Sequence, residues 1–222
     1  MKKYFLNTLT FLFYFIYLDI AIILVNYLGF DYNSISLNKR IIFVLICNII
    51  FMLYLLIVYI KELKIDAKDF KKNFKKYVSK YFIYYVNGVI LMAILNIIIQ
   101  LITGLKLGGN ESTLRDYIHR IPLYMFFSTA IYAPFVEEMI FRKSIRNLVK
   151  NDNLFIVLSG FIFGVLHITN FSNIKEIIMG IPYIVMGIDF ALIYSRSKNI
   201  FTTMSFHMFH NLLLFLIIIL FK

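Results

Sequence analysis

Two adjacent carboxylates, Glu137 and Glu138, followed four residues later by Arg142, lie in Ala-Pro-Phe-Val-Glu-Glu-Met-Ile-Phe-Arg, a stretch apolar enough to cross a bilayer. A charge near the middle of a membrane costs at least ~2.5–3.5 kcal/mol, so neighbouring carboxylates persist there where something uses them. Other apolar segments supply His167, His207 and Asn211. Carboxylates and imidazoles are the side chains that trade protons in general acid–base catalysis. The combination reads as a catalytic site inside a membrane.

Spacing separates the roles. Glu138 and Arg142 are four apart and can pair along one helix face, with the acid on the favoured N-terminal side. A structural ion pair at the membrane edge accounts for both, but it leaves Glu137 without a partner. Pro134 removes a backbone hydrogen bond just before the glutamates and loosens the helix there. The polar run Asn151-Asp152-Asn153 supplies the turn to the next segment. Glu137 and His167 stand equally far on either side of Asp152, so an antiparallel pair puts each roughly 22 Å from the bend. His207 lies about 15 Å into the last segment from the break at Ser197-Lys198, with Asn211 one turn further on the same face. This sets the site at moderate depth from the end bearing the basic turns. His210 points to another face, and His119 falls in an outer loop. Asp19 and Asp189 read as polar core residues with no evident partner.

These residues need a scaffold, and composition defines it. The chain has 222 residues, 61% of them hydrophobic, with no tryptophan, and its mean hydropathy is +0.80. Such a chain is an all-α, polytopic transmembrane bundle. About seven spans are expected, near 4–28, 41–60, 81–104, 121–147, 153–170, 177–195 and 199–221, with the site among the last four. A net charge of +11 could indicate nucleic acid, but the basic residues gather at segment ends, where they act as topology signals and headgroup contacts. Lys2, Lys3, the eight lysines between 61 and 80, Arg142, Lys143, Arg146, Lys150, Arg196 and Lys198 share one side. Lys39, Arg40, Lys106, Arg115, Arg120, Lys175 and Lys222 share the other. That imbalance places the N-terminus in the cytoplasm. The opening Met-Lys-Lys-Tyr resembles a signal-peptide start, yet the apolar run passes Asp19 to Leu28 without a small-residue cleavage site, so a retained span is expected. In 61–80, Leu63, Ala67, Phe70, Phe74, Tyr77 and Tyr81 recur every three or four residues among lysines, the pattern of a basic amphipathic helix on the cytoplasmic membrane surface. The single cysteine, Cys47, excludes an intramolecular disulfide and reads as a small core residue.

Glu137-Glu138-x-x-x-Arg142, Phe163-x-x-x-His167 and His207-x-x-x-Asn211, in that order, resemble the three signature motifs of the CPBP intramembrane proteases, the CAAX prenyl endopeptidase, bacteriocin-processing and Abi family. Ala133-Pro134, Phe141 and Phe163-Gly164 agree in the flanks, and Gly180 and Gly187 look like the family's glycine-containing helix. Lys143 departs from the glycine common after the motif arginine. The likeness covers about residues 120–215, which divides the chain into N-terminal transmembrane helices with a basic segment, 1–119, and a CPBP-like catalytic core, 120–222. The resemblance implies peptide hydrolysis without a serine or cysteine nucleophile. Glu137 would be the general base on water, with His167 holding that water. His207 and Asn211 would donate to the oxyanion. Glu138 and Arg142 would fix the helix, and Phe163 would pack under His167. Glu137, His167 and His207 also form a possible zinc set with an open position, although the family pattern favours no cofactor. The implied partners are a membrane-associated peptide or C-terminal tail and the lipid bilayer of a bacterial cell membrane, and no nucleic acid. Two other classes share these features: a non-catalytic bacteriocin-immunity-type membrane protein and a proton-relay transporter. Intact motifs disfavour the first, and the lack of an inverted repeat disfavours the second.

Overall fold

The computed structural model describes residues 2–221. The expected placement of Lys222 lies outside them. Every regular element among the described residues is helical. In chain order these are α1 (Lys2–Tyr27), α2 (Leu37–Thr103) and α3 (Gly109–Arg120), then α4 (122–148), α5 (Asp152–Val165), α6 (Ile174–Met179), α7 (Ile181–Ser197) and α8 (Ile200–Leu220). Among the described residues, four helical stretches, Tyr4–Tyr27, Leu37–Thr103, Ile174–Ser197 and Ile200–Leu220, are long and apolar enough to span a membrane, and Asp152–Val165 is a shorter apolar helix. The expected all-α membrane bundle is the observed one.

α2 carries two expected spans and everything between them. Its helix is interrupted at Asn73, where φ −111° and ψ 17° leave the helical region. Asparagine competes with the helical backbone through its short amide, and here Asn73 Nδ2 donates to Asp69 Oδ1 at 2.7 Å. The kink lets one helix serve two neighbours. Before it, Phe51, Leu55, Tyr59 and Leu63, one every turn, are buried against Val136, Met139, Ile140 and Phe141 of α4. After it, Tyr81 and Tyr85 pack on Met186, Phe190 and Ile193 of α7 and Phe206 of α8.

The 61–80 segment is therefore the middle of α2 rather than a separate surface helix. Its lysines are exposed, as are Ala67 and Phe74, while Leu63 and Tyr81 are buried in the protein. Its acids latch it to the bundle. Asp66 Oδ2 pairs with Lys143 Nζ at 2.7 Å. Asp69 accepts from Tyr77 at 2.5 Å and from Asn199 Nδ2 at 2.9 Å. Those donors hold the Asp69 carboxyl below the usual aspartate range, with Tyr77 the larger cause. Asn199 also caps α8 by accepting from Phe201 N–H.

α4 is not a plain α-helix. Two π-helical stretches, Phe127–Tyr132 and Glu138–Ser144, flank an α-helical turn, Ala133–Glu137. Pro134 begins that turn, and without an N–H it cannot continue the ladder behind it, so the backbone re-registers on both sides. α5 is capped by Asn151, whose side chain accepts from Leu154 N–H at 2.9 Å, at the expected polar turn.

α5 and α7 approach almost backbone to backbone. A Cβ added at Gly164 would lie 2.4 Å from the Ile184 nitrogen, one at Gly160 2.5 Å from the Ile188 nitrogen, and one at Gly187 2.7 Å from the Gly160 carbonyl oxygen. Small residues four apart are how membrane helices achieve such contact. Because the obstruction is backbone, Gly164→Val must part the helices. Overpacking of this kind costs ~1–3 kcal/mol or more, so the melting temperature of the detergent-solubilised variant should fall below wild type. An unchanged melting curve would show that the contact contributes nothing to stability.

Candidate active site

Glu137 ends the α-helical turn of α4 and Glu138 opens the second π stretch. Successive helical residues diverge around the axis, so the two carboxylates reach different surroundings. The Glu137 side chain is 17% exposed and faces a cavity, whereas Glu138 is fully enclosed.

Glu138 is the hub of a buried network. One oxygen accepts from His207 Nδ1 at 2.9 Å and the other from the Thr203 hydroxyl at 2.9 Å. Arg142 Nε stands 3.2 Å from that second oxygen, within ion-pair distance although not aligned as a hydrogen bond. Arg142 is itself fully buried. Its Nη1 donates to Ser159 Oγ at 2.7 Å, and its guanidinium lies 5.1 Å from the Phe163 ring centre. Ser159 in turn donates to the Phe141 carbonyl at 2.7 Å. Each charge is thus compensated within the low-dielectric interior, the condition under which buried ions are tolerated.

The histidines have defined tautomers. The ionised Glu138 can only accept, so His207 carries a proton on Nδ1 and directs Nε2 towards Glu137, 3.7 Å from Oε2. His167 sits just past the end of α5, and its Nδ1 donates to the Phe163 carbonyl at 2.8 Å, which leaves Nε2 free to accept. Phe163 is wedged between the two imidazoles, 4.7 Å from His167 and 5.8 Å from His207 by ring centres. α7 holds both rings from behind. Tyr183 stacks on His167 at 4.4 Å, and Phe190, two turns later, stacks on His207 at 4.7 Å. Asn211 donates to the Thr129 carbonyl at 2.9 Å, which fixes its amide and leaves a second N–H.

Glu137, Phe163, His167, His207 and Asn211 all line one cavity of about 470 Å³. Its wall continues to Lys106, Asn110, Glu111 and Arg115 at the end of the bundle opposite the 61–80 latch. The sequence measured the site's depth from the basic turns, but the open route is from the other end. Glu138 and Arg142 stay outside the cavity lining, behind its wall. Among the described residues no three His, Cys, Asp or Glu side chains stand close enough together to share one metal ion.

Several residues here were not singled out from sequence. Thr203 and Ser159 complete the charge network, and Tyr183 and Phe190 carry the only available hint, aromatic residues seven apart on one helix face. His210 is buried, lines the same cavity and meets the Tyr85 hydroxyl at 3.3 Å through Nδ1. Asp189 is buried against Gly88, where a Cβ would lie 2.7 Å from the carboxyl carbon, and its Oδ2 has no hydrogen-bond partner among the described residues. Asp19, by contrast, is exposed on α1 and is no core residue. His119 ends α3, on a helix rather than in a loop, and is exposed.

The fold and this cluster define a helical membrane protein with a glutamate and two histidines enclosed on one cavity. Residues 119–213, the stretch that carries the three motifs, match the family described as type II CAAX prenyl endopeptidase Rce1-like. The chain is 33% identical over 105 residues to the putative membrane peptidase YdiL of Bacillus subtilis, covering 46% of this chain and 40% of that protein. It is 25% identical over 227 aligned residues to the membrane-embedded CAAX protease MroQ of Staphylococcus aureus, covering 95% of this chain and 88% of that one. An uncharacterised protein of Mycoplasma capricolum is 31% identical over 131 residues, covering 54% of this chain and 38% of its own. The chain therefore spans well under half of YdiL and of the Mycoplasma protein. No solved structure gives a significant match.

The network makes a prediction about Arg142. Ser159→Ala removes the acceptor for a fully buried guanidinium, and an unsatisfied buried donor costs ~1–3 kcal/mol, more for charged groups. The variant should melt lower than wild type in detergent. An equal melting temperature would mean that Ser159 does not hold Arg142.

Proposed function

We propose that this protein is an intramembrane endopeptidase that hydrolyses a peptide bond in a membrane-associated peptide or C-terminal tail through glutamate-activated water. The observation that carries the reading is the Glu137 carboxylate, which faces the shared cavity with no hydrogen bond among the described residues, while both oxygens of its neighbour Glu138 accept one. The relatives named as a membrane peptidase and a CAAX protease support it.

In this mechanism a water sits between Glu137 and the free Nε2 of His167. Glu137 takes a proton from the water as its oxygen attacks the scissile carbonyl carbon. The carbonyl oxygen becomes an oxyanion and accepts from the second N–H of Asn211 and from His207 Nε2. With Nδ1–H committed to Glu138, His207 donates from Nε2 only as the imidazolium. Glu137 then passes its proton to the departing amine as the C–N bond breaks. Residues 120–222 carry this chemistry, and 1–119 supply the kinked α2 that packs on both sides of it. This mechanism takes the metal-free form. The N-terminus and the 61–80 segment are cytoplasmic, which sets the cavity mouth at Lys106 and Arg115 on the outer side. The basic imbalance supports that orientation.

The direct test compares peptides released from membranes of cells expressing wild type or Glu137→Gln, by mass spectrometry. Glutamine keeps the shape and removes the base, so release should fall to background at unchanged protein abundance. Glu138→Gln should lower activity and abundance together, because it breaks the network that orients His207. Complete loss at both positions with normal abundance would reject this division of roles. Dialysis against a chelator should leave wild-type activity intact, whereas loss restored by zinc would overturn the metal-free mechanism.

Orientation is checked separately. In a Cys47→Ser background, a cysteine at position 72 should resist an impermeant reagent on intact cells and one at position 106 should react. The reverse pattern would invert the topology.

A further inference from the structure

Met92, Asn96 and Gln100 recur every four residues on the second half of α2, and all three line the cavity that holds Glu137. Two of them are primary amides in a segment that otherwise reads Ile-Leu-Met-Ala-Ile-Leu and Ile-Ile-Ile. Amides on a membrane helix are expensive facing lipid and are placed towards cavities or partners. Neither side chain has a hydrogen-bond partner among the described residues, whereas Asn110 donates to Tyr183 and Asn211 to Thr129. α2 belongs to the part of the chain before the family-type stretch, which begins at residue 119.

A primary amide presents one acceptor and two donors. That is the complement of a peptide group, which presents one N–H and one C=O. An extended segment within a membrane cannot satisfy its own backbone, as a helix does, and must find these partners in protein. We propose that Asn96 and Gln100 form a subsite that binds the backbone of the substrate in extended form, between the cavity mouth and Glu137. The ligand class is an unfolded peptide segment recognised through its amide groups, with side-chain identity secondary at this wall. The occupant being a peptide rests on the endopeptidase reading above; the two unspent amides on the cavity wall stand independently of it.

An extended segment is also what the chemistry requires. A peptide bond inside a helix has its carbonyl committed to an N–H four residues on, and attack at Glu137 needs that oxygen free to receive the Asn211 and His207 donors. Amides placed along the approach would hold the unwound chain at the moment its internal hydrogen bonds are gone.

The test uses Glu137→Gln protein in detergent, so that bound peptide is not consumed, and a dye-labelled pool of randomised nonapeptides read by fluorescence anisotropy. A second pool carries the same sequences with backbone N-methylation, which removes the N–H donors. The amide pool should bind about tenfold or more tightly than the N-methylated pool, as the loss of one or two hydrogen bonds requires. Asn96→Leu with Gln100→Leu in the same background should remove most of that difference. The exchange Asn96→Gln with Gln100→Asn should keep it, which separates amide chemistry from a packing defect. Equal binding of the two pools, a difference that survives the double leucine variant, or no binding of either pool would each overturn the subsite. Cleavage of the amide pool by wild type is scored separately. A pool that binds with this dependence but is never cut would reject the endopeptidase reading and leave the subsite standing.

Discussion

A carboxylate enclosed in the membrane interior must be surrounded by donors, and Glu138 sets the geometry of everything near it. Its oxygens draw His207 and Thr203 from α8, and its charge draws Arg142 from its own helix. Arg142 is committed in turn to Ser159 of α5. Three helices are thereby held in fixed register by groups that cannot be left unsatisfied, since breaking one partner of a buried pair costs far more than the pair contributes. The catalytic assignment then follows from placement. Glu137 is the same residue type one position earlier, yet it reaches the cavity because α4 turns it out of the network that its neighbour completes. In the proposed mechanism, an orienting carboxylate behind the histidine and a reactive one in front of it are thus produced by a single dipeptide.

Further polar contacts tie the N-terminal helices to this core. Tyr59 of α2 donates to Asn7 of α1 at 2.8 Å and meets Ser144 of α4 at 2.9 Å, while Asn147 donates to Asn7 at 3.0 Å. Tyr17 donates to Asn48 at 2.9 Å and meets Tyr132 at 2.7 Å. Such hydrogen bonds between membrane helices average only ~0.6 kcal/mol, so their main effect is on register. They fall on either side of Glu137 along α4, which pins the helix where its π turns would otherwise let it slide. The latch of Asp66 on Lys143 and of Asp69 on Asn199 extends the same logic to the end of the bundle. Lys143, where a glycine is common in the family, is occupied by that ion pair.

Much of this was legible in the sequence because membrane burial makes polar residues conspicuous. Glu137, His167, His207 and Asn211 stand out against apolar neighbours, and the Asn151 turn places two of them level without any knowledge of contacts. The pairing of Glu138 with Arg142 follows from helical spacing alone. Its second commitment, to His207, joins residues 69 positions apart, and no periodicity encodes such a contact. Thr203 and Ser159 were hidden for another reason: hydroxyl residues are ordinary in membrane helices, and only the charge they face gives them meaning. The continuation of α2 through 61–80, kinked at Asn73, is hidden in the sequence because lysine density signals a surface, while the acids between the lysines signal attachment. Asp19 shows the converse error. An acid inside an apolar run was read as buried, but α1 lies at the edge of the bundle and leaves it exposed.

The two ends of the bundle differ in a way that bears on how the site works. At the 61–80 end, ion pairs, an N-cap and a short α7–α8 turn through left-handed Lys198 join α2, α4, α7 and α8 into one closed plate. At the other end, the cavity opens between the last turns of α2, the short α3 and the polar rim of Asn110, Glu111 and Arg115. His167 lies on the open side, beyond the last turn of α5, whereas His207 lies deeper, two turns from the latched N-terminus of α8. In the proposed mechanism, the residue that holds water is thus on the side from which substrate arrives, and the residue that meets developing charge is anchored to the rigid side. Oxyanion donors are effective when they need no reorganisation at the moment of reaction. Fixing His207 through Glu138, Phe190 and the latched end of α8 meets that requirement, and the freedom needed to admit a chain is confined to the opposite end.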